Sequence, residues 1–235
     1  DLEMMPSDLS DFNVYGGLYR YVTLKYVPAV SLGLRNIHTT VDAGGTDGVV
    51  TVAADLYSPA ETLEAEAEVE LRAPNGSVVA SKTMKVNAPG DRIELCQFKV
   101  TRPALWSPDK PNLYTCIVRL KSKAGVSQEQ DQIGFRHGEF VKHGPFKLNG
   151  ERLLLRGTHR HEDHAGVAAA MTEEMIRTEM KLMKEMGVNF IRLGHYQQSP
   201  IVLDACNQLG ILVWEEIPWC RGGVGGELYK EQGRR

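Results

Sequence analysis

Three of the seven histidines in this 235-residue sequence fall within positions 155–164, which read LRGTHRHEDH. His159, His161 and His164 stand there beside Arg156, Arg160, Glu162 and Asp163. They come directly after the apolar run Leu153-Leu154-Leu155. Imidazoles, carboxylates and guanidinium groups so crowded can donate to and accept from a polar ligand, share a metal ion, or form a solvated loop. Two imidazoles two residues apart on an extended segment point the same way, so His159 and His161 could share an ion, with His164 and His195 as further ligands. A second cluster, Arg192, His195 and Tyr196, ends an apolar run at Phe190-Ile191 and Leu193. A third, Glu215-Glu216, ends the run ILVW at 211–214, and Trp219 follows it. The two glutamates are adjacent, so on a strand they face opposite sides and cannot both address one bond.

The elements that must position these groups follow from the period of the sequence. The stretch MTEEMIRTEMKLMKEMG (171–187) carries Met175, Ile176, Met180, Met183 and Met186 at helical spacing, and its methionines read as core filler. Acidic residues lie in its first turn and Gly187 is a stop. A second helix opens at Ser199-Pro200, a cap followed by a proline in the first turn, and closes at Gly210. Strands at the first apolar run, at 190–193 and at 211–217 make this a β-α-β-α-β chain with repeats of roughly thirty residues, the pattern of a parallel sheet buried on both faces. Each strand changes character at its C-terminal end: the first at Arg156, His159, His161 and Asp163, the second at Arg192 and His195, the third at Glu215 and Glu216. A (β/α)8 barrel uses that edge for its reactive groups. A doubly wound sheet would carry a glycine-rich phosphate turn after its first strand, and RGTHRHEDH has one glycine without that spacing.

Upstream, from about Pro28 to Arg136, the period is two. Alternating strands are expected at 48–58, 67–74, 77–86, 93–100 and 114–122, separated by turn signals such as Pro74-Asn75-Gly76. About seven strands over this length read as an immunoglobulin-like sandwich. The connection RPALWSPDKPNLY (102–114) is excluded from a central strand by its prolines. The sandwich displays neither an aromatic platform nor a charge cluster, so a scaffold role is expected of it. Trp106 and Trp214 read as structural.

The formal charge of −3 and the absence of a dense Lys/Arg run give no electrostatic footprint for nucleic acid. No apolar stretch approaches the roughly twenty residues of a membrane span. Cys96, Cys116, Cys206 and Cys220 form no C-x-x-C pair and read as buried free thiols. The compartment stays open between bacterial cytoplasm and periplasm. The sequence starts at Asp1 rather than Met, so a preceding segment is expected.

In combination, FKLNGERLLLRGTHRHEDH, MKEMGVNFIRLGHYQQSP and LDACNQLGILVWEEIPW resemble the first third of the catalytic barrel of glycoside hydrolase family 2, the β-galactosidases, β-glucuronidases and β-mannosidases. DFNVYGGLYRYVTL (11–24) is similar to the closing strands of that family's jelly roll, and ALWSPDKPNLY with IGFR (133–136) to the end of its sandwich. The resemblance implies a multi-domain chain. Residues 1–27 would end a jelly-roll sugar-binding domain, 28–138 form the immunoglobulin-like β-sandwich, and 139–235 begin a TIM-barrel catalytic domain. It implies a carbohydrate substrate, galactosides first and glucuronides second. The resemblance implies sugar contacts at His161 and His195, and Arg192, Asp163, Glu216 and Trp219 are expected as further substrate-binding residues. Neither a cofactor nor a metal is implied, since Cys220 and Arg221 replace the family's Glu-x-His. Gly194 replaces a common serine, and Gln197 a common proline. Retaining hydrolysis needs two carboxyl groups about 5–5.5 Å apart; the family supplies them after its fourth and seventh strands, and no Asn-Glu pair occurs here. The chain is therefore expected to be inactive by itself, and to associate or lose order around 220–235, where a sheet edge would be open. Two rival readings are a metal-dependent amidohydrolase built on His159-x-His161 and a non-catalytic carbohydrate- or partner-binding module.

Overall fold

The computed structural model describes residues 15–60, 64–218 and 225–234. Two compact units emerge, one spanning Leu24–Leu154, the other joining the described residues up to Thr23 with those from Leu155 onward.

The first unit is a sandwich. Strands β1 (Ser31–Val41) and β2 (Asp47–Tyr57) pair with the later β5 (Gly90–Thr101), in the order β1-β2-β5. The facing sheet consists of β3 (Ala65–Arg72), β4 (Val78–Val86), β6 (Tyr114–Ser122) and β7 (Gly125–Ile133), in the order β4-β3-β6-β7. Period-two alternation decides which side chains go inward. Val50, Val52, Ala54 and Leu56 of β2, with Val69 and Leu71 of β3 and Val118 and Leu120 of β6, are all buried in one core. Each buried valine or leucine among them contributes about 1.5–3 kcal/mol by leaving water. The five expected strands are present. The other two, β1 and β7, are the most polar, and β7 buries only Ser127 and Ile133.

Turn chemistry closes the hairpins. Asn75-Gly76 turns between β3 and β4, with Gly76 at φ +84° and its N–H on the Ala73 carbonyl at 2.8 Å. The proline-rich connection seats Trp106, whose N–H reaches the Phe135 carbonyl at 2.8 Å, under the Arg136 guanidinium 5.0 Å from its ring centre. Trp106 is structural, as expected. Cys96 and Cys116 are buried free thiols, pushed by that burial up to about 11 and about 12 respectively.

A small antiparallel sheet, β8 (Gly138–Phe140), β9 (Phe146–Leu148) and β10 (Glu151–Arg152), also belongs to this unit. The sequence boundary near 138 thus precedes the contact boundary by this three-stranded sheet, whose last strand is turned back onto β9 by Asn149-Gly150 (φ +55° and +84°).

The second unit contains the parallel sheet. Strands β11 (Gly157–Arg160), β12 (Phe190–Leu193) and β13 (Leu212–Glu215) lie side by side in chain order. Helix α1 (Glu173–Glu185) connects the first pair and α2 (Pro200–Leu209) the second; α3 (Glu227–Gln232) follows β13. Thr172 caps α1 through the Met175 N–H, and Ser199 caps α2 through the Ile201 N–H. Gly210 ends α2 in the left-handed region at φ +73°. Ile176 and Met180 of α1 pack with Ile191 and Leu193 of β12 and Val202, Ala205 and Cys206 of α2.

Four sequence expectations need correction. The first parallel strand begins at Gly157, beyond the Leu153–Leu155 run, so Arg156 lies before it, with its Nε on the Gly187 carbonyl at 3.0 Å. Met186 is the α1 C-cap and is exposed, not core. Trp214 is 59% exposed on the sheet face away from the helices. Residues 15–30 contain no strand, so the strands expected at 15–24 from the similarity to a jelly roll are not formed there. Positions 11–14 of that stretch, together with Trp219 and Cys220, lie outside the described residues.

Candidate functional site

Parallel register sorts the strand residues onto two faces. His159, Arg192 and Trp214 are aligned across the three strands, two positions after Gly157, Phe190 and Leu212. The intervening row, Arg160, Leu193 and Glu215, faces the helices.

On the helix side Arg160 is buried. Its Nε and Nη2 donate to Glu179 of α1 at 3.1 and 2.8 Å, and its Nη1 donates to the side-chain oxygen of Gln198. Gln198 returns a bond from Nε2 to the Arg160 carbonyl at 2.7 Å, and its backbone N–H reaches Glu215 Oε1 at 3.3 Å. Arg160 therefore braces the strand ends. Glu162, also buried, accepts from the Ser199 N–H at the start of α2 (2.6 Å) and from Arg20 Nε (3.1 Å). A carboxylate there satisfies an orphan helix N–H and complements the helix dipole.

The opposite side gathers the imidazoles. The ring centres of His161 and His195 lie 5.7 Å apart. His159 stands 4.6 Å from His161 and 6.2 Å from His195. Three rings from two successive strand ends thus share one small space. Glu216 anchors it: Oε1 accepts from Arg192 Nε at 2.7 Å, and Oε2 from Arg192 Nη2 at 3.1 Å and the His195 N–H at 2.7 Å. His195 Nδ1 lies 3.4 Å from the same Oε2. Burial by itself would raise the Glu216 carboxyl, but the bonds from His195 and Arg192 outweigh it and hold the group below the usual glutamate value. Adjacent Glu215 and Glu216 thus serve opposite faces.

His195 has φ +74°, a left-handed conformation that side chains with a Cβ rarely adopt. Such a conformation costs about 1–3 kcal/mol and persists where neighbours enforce it; the His195 N–H on Glu216 is one such restraint. His161 is positioned from behind. Its Nδ1 lies 3.2 Å from the Tyr196 hydroxyl, which accepts the Glu162 N–H at 2.8 Å. Burial raises the Tyr196 phenol above its ordinary value, so it stays protonated and can supply its proton to that nitrogen.

Of the residues singled out in the sequence, His161, His195, Arg192 and Glu216 come together in direct contact. Asp163 lies on the exposed loop after β11, with both oxygens 3.1 Å from the Tyr15 hydroxyl. Trp219 is outside the described residues. His164 turns its Nδ1 to the Ala165 carbonyl at 3.0 Å, within the loop. Trp214 was missed as a member of this face, although its position two before Glu216 signals it. Arg20, Tyr15 and Tyr21 were also missed. All three lie in a stretch without period, and each supports the site margin, Tyr21 by accepting the Glu173 N–H at 3.1 Å. Among the described residues no three His, Cys, Asp or Glu side chains converge in a metal-holding arrangement. No helix among them is long and apolar enough to cross a membrane.

The arrangement gathers hydrogen-bond donors and acceptors at one edge of the sheet, suited to a ligand rich in hydroxyl groups. The family model described as "Glycosyl hydrolases family 2" matches residues 33–136, and that of the "Glycosyl hydrolases family 2, TIM barrel domain" matches residues 140–227. A putative beta-glucuronidase of Formosa agariphila is 43% identical over 98% of the chain. A beta-galactosidase of Priestia megaterium is 32% identical over 88%. The crystal structure of Parabacteroides merdae beta-glucuronidase superposes with a TM-score of 0.94, at 53% identity over 100% of the chain. Beta-glucuronidase 3 of Bacteroides uniformis gives 0.90, also at 53% identity. The chain spans 28% of the Formosa protein's length and 29% of the Parabacteroides protein's.

Proposed function

The chain belongs to glycosyl hydrolase family 2, and from that premise we propose that it forms the first wall of the sugar pocket of a retaining β-glycosidase. The observation that carries the proposal is the meeting of His161 and His195, 5.7 Å apart, at the C-terminal ends of consecutive parallel strands. There, with Arg192 and Glu216, they would hydrogen-bond the terminal sugar, and Asp163 and Trp219 are proposed as further contacts. His161 is set to donate through Nε2, because the Tyr196 hydroxyl lies against its Nδ1. Glu216 fixes Arg192 and the His195 backbone.

None of the carboxylates described at this edge is disposed as the acid or the nucleophile. Glu215 accepts from Gln198, Glu216 from Arg192 and His195, Glu162 from Arg20 and Ser199, and Asp163 from Tyr15. The two catalytic carboxyl groups of a retaining mechanism therefore come from further barrel strands, and the chain by itself turns over no glycoside.

The proposed substrate order places β-glucuronides before β-galactosides, reversing the order expected from sequence. Its support is that the relatives at 43% and 53% identity bear beta-glucuronidase names, whereas the Priestia beta-galactosidase is at 32%. The test is hydrolysis of nitrophenyl β-glucuronide and β-galactoside, by the chain alone and by the chain continued through the rest of a barrel. The continued form should cleave the glucuronide faster and the 235-residue chain neither. Turnover by the chain alone would overturn the placement of catalysis outside it. A continued form inert towards every β-glycoside would overturn the proposed activity.

A further inference from the structure

We infer that His159 is a third sugar-binding histidine of this pocket, donating from Nε2 to an acceptor oxygen of the terminal sugar, with its ring seated by Gly194 and its tautomer set by Arg192. The inference rests on the glycosidase reading and extends it to a residue outside the sugar-contacting set expected from the family resemblance.

Register places His159 on the same sheet face as Arg192, away from the helices, and its residue is exposed there. Its ring stands 4.6 Å from that of His161, nearer than His195 does at 5.7 Å. Arg192 Nη1 lies 3.1 Å from His159 Nδ1. A guanidinium has only donors, so Nδ1 must accept and the neutral ring carries its proton on Nε2. The Arg192 guanidinium is itself held by both oxygens of Glu216, at 2.7 and 3.1 Å, so the chain Glu216–Arg192–His159 fixes both orientation and tautomer.

Gly194 shows that this seat is built for the ring. A Cβ at position 194 would lie 2.3 Å from His159 Cε1 and 3.0 Å from Arg192 Nη1. The first contact is with an imidazole already pinned at Nδ1, so the ring would have to leave its place. The glycine is needed here for close approach and not for backbone conformation, since its φ lies outside the left-handed range. A large residue at 159 and the absence of a side chain at 194 are two halves of one feature.

The test uses the chain continued through its barrel, comparing H159A, H159Q, G194A and the H159A/G194A double variant on nitrophenyl β-glucuronide and β-galactoside. A Gln amide nitrogen can stand in for Nε2–H, whereas Ala cannot. H159A should raise KM about fivefold to tenfold, the worth of one neutral hydrogen bond. H159Q should recover to within about twofold of the unaltered enzyme, a rescue that a merely structural role would not give. G194A should reproduce H159A, and adding G194A to H159A should do little more. An equal loss on both sugars assigns the contact to a shared hydroxyl; a loss confined to the glucuronide assigns it to the carboxylate. Turnover with KM indifferent to H159A, or with H159Q as impaired as H159A, overturns this inference alone. An unaltered enzyme inert on every β-glycoside overturns the proposed function and this inference together.

Discussion

Replacing Glu216 by Gln removes one negative charge and turns one acceptor oxygen into an N–H donor where three donors already converge. The Arg192 bonds at 2.7 and 3.1 Å and the His195 N–H bond at 2.7 Å are all to this carboxylate. Fully buried, each charge-assisted bond would be worth about 1.5–3 kcal/mol. The Arg192 side chain is 38% exposed and that of Glu216 20%, so screening brings the arginine pair down to about 1 kcal/mol. The His195 N–H adds about 1 kcal/mol, because that bond also restrains a residue at φ +74°. Glu216→Gln should therefore destabilise the second unit by about 2 kcal/mol at neutral pH. The pH dependence has a definite sign. The Glu216 carboxyl is held below its ordinary 4.5, so its contribution is complete above that value and is lost as pH falls through the lower folded value. The gap between the native protein and the variant should hold at neutral pH and close in acid, where a protonated Glu216 resembles Gln. Urea unfolding monitored by tryptophan fluorescence at both pH values measures it. A neutral-pH gap under about 0.5 kcal/mol, or one that widens in acid, would refute the reasoning.

Two further substitutions separate bracing from sugar contact. Arg160→Met strands Glu179 and Gln198 on the helix side and should cost about 2–4 kcal/mol, under the full cost of a broken buried pair because Glu179 is part-exposed; less than 1 kcal/mol in chemical denaturation would contradict a bracing role. Tyr196→Phe orphans the Glu162 N–H and frees His161 Nδ1, so it should cost about 1–2 kcal/mol and shift the His161 tautomer in long-range proton–nitrogen NMR. An unchanged His161 spectrum would remove Tyr196 from the account.

How much of this was legible depended on period. The α2 segment announced itself through Ser199-Pro200 and Gly210, local signals that the structure uses as cap and left-handed stop. Hydropathy alone sets the first barrel strand too early, because Leu153–Leu155 is the more apolar run. Yet Gly157–Arg160 is the segment that pairs with Phe190–Leu193, and tertiary pairing overrides local hydropathy. That shift turns Arg156 into an entry residue and places His159 within the strand. Trp214 and His159 follow from parity with Glu216 and Arg192 once the register is known, but no spacing in one chain fixes register between strands. The links from Tyr15, Arg20 and Tyr21 to residues some 140–150 positions later carry no sequence signal at all.

The most direct test of the central claim is a crystal structure of the barrel-extended enzyme with the terminal sugar bound. The account predicts nitrogen atoms of both His161 and His195 at about 3 Å from oxygens of one sugar ring. A sugar held in the active site without contact to either imidazole would contradict it.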